Sequence, residues 1–396
     1  MFGRESRDKI ILFLLWPFAA FLYALKDIKS NSSYFIFAGF CVLFGITFIA
    51  QNESVDSFRY VESLRQFSME GADIWSIIAE YFTFDTNIKD LYIYVMYYLT
   101  SLFTSSNYHV FFLFVSSVFT CFYLKSMRFV TGNVSFNNTL PMLLLIFLFT
   151  YSNPIFNING VRFWTTAWVS VYLVFQVVVR QRKEYMFFLF LLPLMHAAYT
   201  IFVIFFFVIY FACKNLNVLS WLFIVSLFFS DVAYNYMDNL TPYLPTFLRN
   251  MLWSYMESDN ALAKMDGLGP SYARLLNALP HYFIVLLIIL FIRERKRIQT
   301  DKSSKRMLLF LLGYQSLVNL CVFIPSMSRF NELSIPLVVY IWVNSYEVMK
   351  KYNKILYLIP FVYAYSLRYW FKYMFYVSDP FLYVSNAFHL LLKNFV

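Results

Sequence analysis

Arg162 opens one apolar segment, and His196 stands at the centre of another further along. The first stretch reads Asn157-Ile158-Asn159-Gly160-Val161-Arg162-Phe163-Trp164, the second Leu192-Pro193-Leu194-Met195-His196-Ala197-Ala198-Tyr199. A charge at the end of an apolar helix and a titratable ring inside a hydrophobic run are expensive to keep, which makes both functional candidates. The guanidinium of Arg162 is always charged, and its planar fork matches phosphate or carboxylate oxygens. The plainer reading is an arginine that snorkels from a helix end to the headgroups. Asn157 and Asn159 favour the functional one, because their turn-forming stretch offers amides and backbone donors beside the charge. A neutral histidine is the usual general base, and His196 can take a proton from a hydroxyl. Its plainer reading is a packed, hydrogen-bonded core residue. Pro193 just before it weakens the helix, and a broken helix in lipid usually lines a cavity. Tyr199, three residues on, is a candidate ligand contact.

Two further groups carry charge where function can use it. Arg329 lies in Pro325-Ser326-Met327-Ser328-Arg329-Phe330-Asn331-Glu332, a polar break between apolar runs. It is either half of an ion pair with Glu332 or a second phosphate-binding arginine. In Asp56-Ser57-Phe58-Arg59-Tyr60, helical spacing puts Asp56 on one face with Arg59 and Tyr60. A surface ion pair is the plain account; an acid that orients the histidine or binds a hydroxyl is the other. Arg249 and Arg274, amid Trp253, Tyr255 and Tyr272, suit a carbohydrate face or an interfacial belt equally.

The surrounding chain dictates where these residues sit. Of 396 residues, 60% are hydrophobic and only 14% charged, against about 25% charged in soluble domains. Many apolar runs approach the ~20 residues that a helix needs to cross a bilayer. They are continuous rather than alternating, so the fold class is all-α, a polytopic transmembrane helical bundle and not a barrel. Runs near 10–25, 34–50, 91–105, 108–124, 139–151, 162–179, 185–195, 197–213, 218–232, 277–292, 307–325, 330–346 and 355–376 predict about 11–13 apolar helices, some short or re-entrant. The first reads as a retained helix, since Lys26-Asp27-Ile28-Lys29 follows it where a cleavage site would stand. The four cysteines show no paired spacing for a disulfide or zinc. The net charge of +10 reflects cytoplasmic loops, not nucleic-acid binding.

The basic runs set the orientation. Residues 293–306 hold seven basic residues against two acids, and 180–183, 350–354 and 26–29 are also basic, so all four are expected inside. Residues 51–90 hold eight acids and three basic residues, and 233–276 four acids and three, so these two long loops are expected outside. The whole chain, 1–396, loops included, reads as one integral membrane domain. Ile74, Ile77, Ile78 and Tyr81 can form the apolar face of a helix lying on the membrane. Tracing from 180–183 carries Arg162, His196 and Arg329 to the outer face with both loops. The three runs within 91–151 violate the required even count of crossings. Either 91–105 or 139–151 is then re-entrant or interfacial, or 91–124 is one broken span.

There is no GxSxG elbow, no HExxH helix, no Walker loop and no paired-acid metal site at Asp56. In their order, the remaining pieces resemble the EpsG family, within the broader group of Wzy-type O-antigen and capsular polysaccharide polymerases. These pieces are Asp56 and Tyr60, Asn159-Gly160-Val161-Arg162, Lys183-Glu184-Tyr185, His196, and Ser328-Arg329-Phe330. The resemblance implies a GT-C-like bundle in the bacterial cytoplasmic membrane, with its site facing the exterior. It implies glycosyl transfer between polyprenyl-pyrophosphate-linked oligosaccharides, with no cofactor and no metal. Arg162 and Arg329 would stabilise the leaving pyrophosphate, His196 would activate a sugar hydroxyl, and Asp56 would assist. Arg59, Tyr60, Asn157, Asn159, Tyr199, Arg249 and Arg274 would contact substrate. The implied partners are lipid-linked oligosaccharides, membrane lipid and a chain-length regulator protein. A flippase of lipid-linked sugars and a membrane O-acyltransferase are the competing readings. The missing internal repeat argues against the first, and an outer histidine against the second.

Overall fold

The computed structural model describes residues 4–50, 56–71, 73–83, 88, 90–212, 214–229, 243, 271–321 and 328–395. The expected outer loop 233–276 therefore lies largely outside the described residues, Arg249 with it, while Arg274 falls in the first turn of a helix. The described residues form helices throughout, apart from one isolated β-bridge between Phe48 and Ser378. Three helical runs, Tyr108–Thr131, Leu140–Val179 and Leu275–Ile298, are long and apolar enough to cross a membrane. The protein is a multi-pass, membrane-associated helical bundle.

The first apolar run is not one helix. Trp16 departs from helical geometry and Pro17 opens the next segment, giving α1 (Arg4–Leu15) and α2 (Pro17–Ala24). A proline is tolerated there because a helix start has no use for its missing N–H. The two fold back on each other. Buried Lys9 donates to Ser30 and Ser33 at 3.0 Å each and lies 3.6 Å from Asp27. With about 1.5 Å of rise per residue, neither arm reaches the ~30 Å of a bilayer core. The first apolar run, expected as one helix, thus folds as a hairpin of two short arms.

The next elements pack tightly. α3 (Asn31–Ile46) runs antiparallel to α7 (Tyr108–Thr131): the hydroxyls of Tyr34 and Thr131 bond at one end, and His109 Nδ1 meets Ile46 O at 2.6 Å at the other. Gly45 allows this approach, since a Cβ there would lie 2.4 Å from Ser116 Cβ. The acidic gap folds into α4 (Asp56–Glu70) and α5 (Ile74–Tyr81), the latter capped by Asp73. α6 (Tyr92–Phe103) has 12 residues, about 18 Å of helix, shorter than the ~30 Å of a bilayer core.

α8 (Leu140–Ser152) ends where Asn153 leaves helical geometry, and the 3₁₀ turn Ile155–Gly160 reverses the chain into α9 (Val161–Val174). Trp168 seals the hairpin, donating to Asn153 O at 3.0 Å and stacking on Phe149. α9 ends in a π-turn, Phe175–Val179, whose last carbonyls are taken by Arg306 at 2.9 and 2.8 Å. The next crossing starts as a nine-residue 3₁₀ helix, Lys183–Leu191, and finishes as α10 (Leu192–Met195). At about 2.0 Å rise per residue in the 3₁₀ part, this short segment covers about 24 Å. α11 (Tyr199–Ala212) returns, and α12 (Leu216–Ser226) follows.

Beyond the undescribed stretch come α13 (Ser271–Ile298), α14 (Lys302–Leu320), α15 (Ser328–Asn331) and α16 (Ser334–Asn344). Short turns α17 (Tyr346–Met349) and α18 (Asn353–Leu356) lead to α19 (Ile359–Val377) and α20 (Ala387–Phe395). The basic runs meet at one end of the bundle. Lys29 reaches Asn133 O, Asn133 reaches Asn344, Asn344 reaches Asp301, and Lys351 pairs with Glu294 at 2.8 Å. Arg162, His196 and Arg329 lie at the opposite end.

Candidate active site

Phe163 is the hub of the site. It follows Arg162 in the first turn of α9, and its ring meets the ring of His196 edge-on at 5.5 Å. The guanidinium of Arg329 lies 5.6 Å from the same ring. Phe330 closes the far side at 5.3 Å. His196 and Arg329, far apart in sequence, therefore meet at one phenylalanine, and the charges of Arg329 and of neighbouring Arg162 both act on His196.

Arg162 is held by two partners. Its Nη1 lies 2.9 Å from Asp90 Oδ2, and its Nε donates to the Tyr60 hydroxyl at 3.2 Å. Asp90 is 3% exposed while Arg162 is 31% exposed, so the acid anchors one edge of the fork and leaves charge facing outward. Burial raises the Tyr60 phenol above its ordinary value and the Arg162 charge opposes that rise. The phenol stays protonated and keeps a hydrogen to donate. Leu91, next to Asp90, donates its backbone N–H to Leu194 O at 2.8 Å. That bond ties the arginine's anchor to the segment carrying His196.

His196 sits in the turn between α10 and α11, with extended backbone (φ −159°, ψ 119°). Pro193 is not the breaker; it occupies the start of α10, where proline is accepted. The break comes at His196 itself, and Nδ1 accepts from Ala198 N at 3.2 Å. In the neutral ring the proton then lies on Nε2. Burial first, then the charges of Arg162 and Arg329, hold this imidazole below its ordinary pKa, in the neutral form.

Arg329 is exposed and, among the described residues, makes no ion pair. The ion pair considered with Glu332 is not formed. Glu332 follows Arg329 round one turn, its backbone N donating to Arg329 O at 3.3 Å, and its carboxyl lines a separate cavity.

The other sequence candidates divide. Asp56 does not reach the histidine; it pairs with Arg59 at 3.9 Å with both side chains more than half exposed, an arrangement worth little. Asn159 accepts from Ser57 N at 3.1 Å and bonds Tyr373, so it fastens α4 to the turn before α9. Tyr199 is fully buried and spends its hydroxyl on Phe163 O at 3.1 Å, which fixes the hub rather than a ligand. Asn157 lines an open trough of about 500 Å³ with Phe156, Tyr369, Trp370, Lys372, Tyr373 and Tyr376. Asp90 was missed. Its only sequence signal is an acid directly before an apolar run, which also describes an ordinary helix start. Among the described residues no three His, Cys, Asp or Glu side chains are grouped to hold a metal ion.

The EpsG family model matches residues 32–385, nearly the whole chain, and the chain belongs to the EpsG family. No curated protein and no solved structure matches it. Membership supports a polysaccharide-polymerase-like, glycosyltransferase-like role for this membrane protein.

Proposed function

We propose that this protein polymerises polysaccharide repeat units at the outer face of the cytoplasmic membrane. The positive-inside rule puts the end holding the four basic runs in the cytoplasm, which leaves the Phe163 cluster facing out. The substrates are two polyprenyl-pyrophosphate-linked oligosaccharides. A sugar hydroxyl of one attacks the anomeric carbon of the other; the new glycosidic bond forms as the bond from that carbon to the phosphate oxygen breaks. Polyprenyl pyrophosphate leaves, and the hydroxyl proton passes to a base.

The observation that carries this reading is the convergence of His196 and Arg329 on Phe163, next to Arg162. Negative charge develops on the pyrophosphate oxygens as they leave, and fixed positive groups there stabilise the transition state. Arg329, free of ion pairs among the described residues, and the outward edge of Arg162 are such groups. Together they supply the positive charge that a metal ion would otherwise bring. The backbone N–H groups at the start of α9 add to the field. His196 is the proposed base. Taking a proton at Nε2 requires the other tautomer and surrender of the Ala198 bond, at about 1 kcal/mol. An incoming pyrophosphate also offsets both arginines and makes the ring more basic than in the empty site. Asp90 and Tyr60 position Arg162. The reaction draws on the bond between the anomeric carbon and the pyrophosphate, so no nucleotide is required.

The test is the surface polysaccharide of a deletion strain complemented with wild type or with Arg329→Ala, with protein levels matched. Wild type restores a ladder, and Arg329→Ala leaves chiefly single repeat units, with polymer down about tenfold or more. An unchanged ladder removes Arg329 from the site. Loss of all surface sugar, with repeat units trapped inside, would point to a flippase instead.

A further inference from the structure

Behind the Arg329 turn lies a cavity of about 200 Å³, lined by Tyr151, His281, Gln315, Glu332, Tyr363 and Ser366 among others. One water needs only about 10–15 Å³ of such space, so the cavity has room for far more than a bridging water. Its walls are polar in the middle of an apolar bundle, and most of that polarity is already satisfied. Gln315 donates to Asn319 at 2.9 Å and to Asn331 at 2.7 Å, and accepts from Ser334. Asn319 in turn donates to Ser226 at 3.0 Å. Tyr151 bonds Ser366. A closed network of this kind rigidifies the wall it forms.

Two groups stand outside the network. Glu332 Oε2 and the Tyr363 hydroxyl are buried without a hydrogen-bond partner. Leaving such groups unpaired is costly, so a cavity built around them calls for an occupant that bonds both. Glu332 offers an acceptor and Tyr363 a donor. Among the described lining residues there is no lysine or arginine. A polar lining with no fixed cation suits hydroxyl groups. The cavity is also joined to the reaction site by a single turn, which carries Arg329 on the Phe163 side and Glu332 on this one.

We propose that this cavity is a saccharide subsite: it takes a neutral sugar residue of the repeat unit, with Glu332 and Tyr363 bonding its hydroxyls. The assignment rests on the polymerase reading for its ligand. It adds a second, phosphate-free compartment beside the arginines.

The test uses the purified full chain in lipid nanodiscs and, as probe, the repeat-unit oligosaccharide without its lipid. Two quantities are read: the thermal shift that the oligosaccharide produces, and its incorporation when lipid-linked repeat is the donor. Wild type is stabilised by the probe and incorporates it. Glu332→Gln keeps the shape of the side chain and raises the half-saturating concentration about tenfold. Tyr363→Phe raises it about threefold, and Ser366→Phe, which fills the cavity, abolishes the shift. Wild-type half-saturation in both Glu332→Gln and Tyr363→Phe would overturn the subsite and leave a water-filled cavity, with polymerisation intact. A shift in wild type that Glu332→Gln removes, without incorporation by either, would keep the subsite and sink the polymerase reading.

Discussion

Arg162→Ala is expected to cut polymer formation by about a hundredfold or more, the usual loss when a fixed donor to developing negative charge is removed. The variant also removes the Arg162 partner of Asp90, which is 3% exposed. Removing one member of a buried ion pair costs about 3–5 kcal/mol in dry surroundings. Arg162 is partly solvated, so about 2–3 kcal/mol is expected here. The two effects separate in the double variant Arg162→Ala/Asp90→Asn, which also removes the acid's charge. It should regain most of the wild-type melting temperature in detergent and none of the activity. Arg162→Lys keeps a charge near Asp90 but loses the fork that serves Asp90 and Tyr60 together, and should fall about tenfold. If the double variant recovers both stability and polymer, Arg162 is an anchor for Asp90 and nothing more.

His196→Ala is expected to lose about two to four orders of magnitude in rate, the range for a general base. Fold stability should change little, because the ring's hydrogen bond is a local one to Ala198 N at 3.2 Å. The pH profile carries a sharper signature. The imidazole is held below its ordinary value, so it is already unprotonated where a free histidine would begin to charge. Activity should therefore show no acid limb near about 6.5, the ordinary histidine value, and fall only at lower pH. A limb near about 6.5 at limiting substrate that disappears in His196→Gln would mean that neither burial nor the arginines hold this ring down in the free enzyme. Full activity in His196→Ala would remove it from the chemistry.

The order of apolar helices and the gathering of Arg162, His196 and Arg329 at one end were legible because they follow from local signals: apolar runs, a break in one of them, and the placement of basic residues. Even the meeting of two short segments at His196 could be read, although the expected cause, Pro193, starts a helix rather than ending one. What could not be read depends on tertiary pairing. Pro17 marks a break inside the first apolar run, but that the two arms fold back on each other shows only in tertiary contacts such as Lys9 with Ser30 and Ser33. Asp90 looks like any acid before a helix, whereas Asp56, beside Tyr60, drew attention and turns out to face solvent with Arg59. Glu332 sits so near Arg329 in sequence that an ion pair is the natural expectation. The turn between them points the two side chains to different compartments.

The most direct measurement is made on purified protein in nanodiscs supplied with polyprenyl-pyrophosphate-linked repeat unit alone, with chelator and without nucleotide. A ladder of longer lipid-linked glycans is expected, with release of one polyprenyl pyrophosphate for each unit added, both lost in His196→Ala. No lengthened product from folded protein, or a ladder that His196→Ala and Arg162→Ala both leave intact, would contradict that expectation.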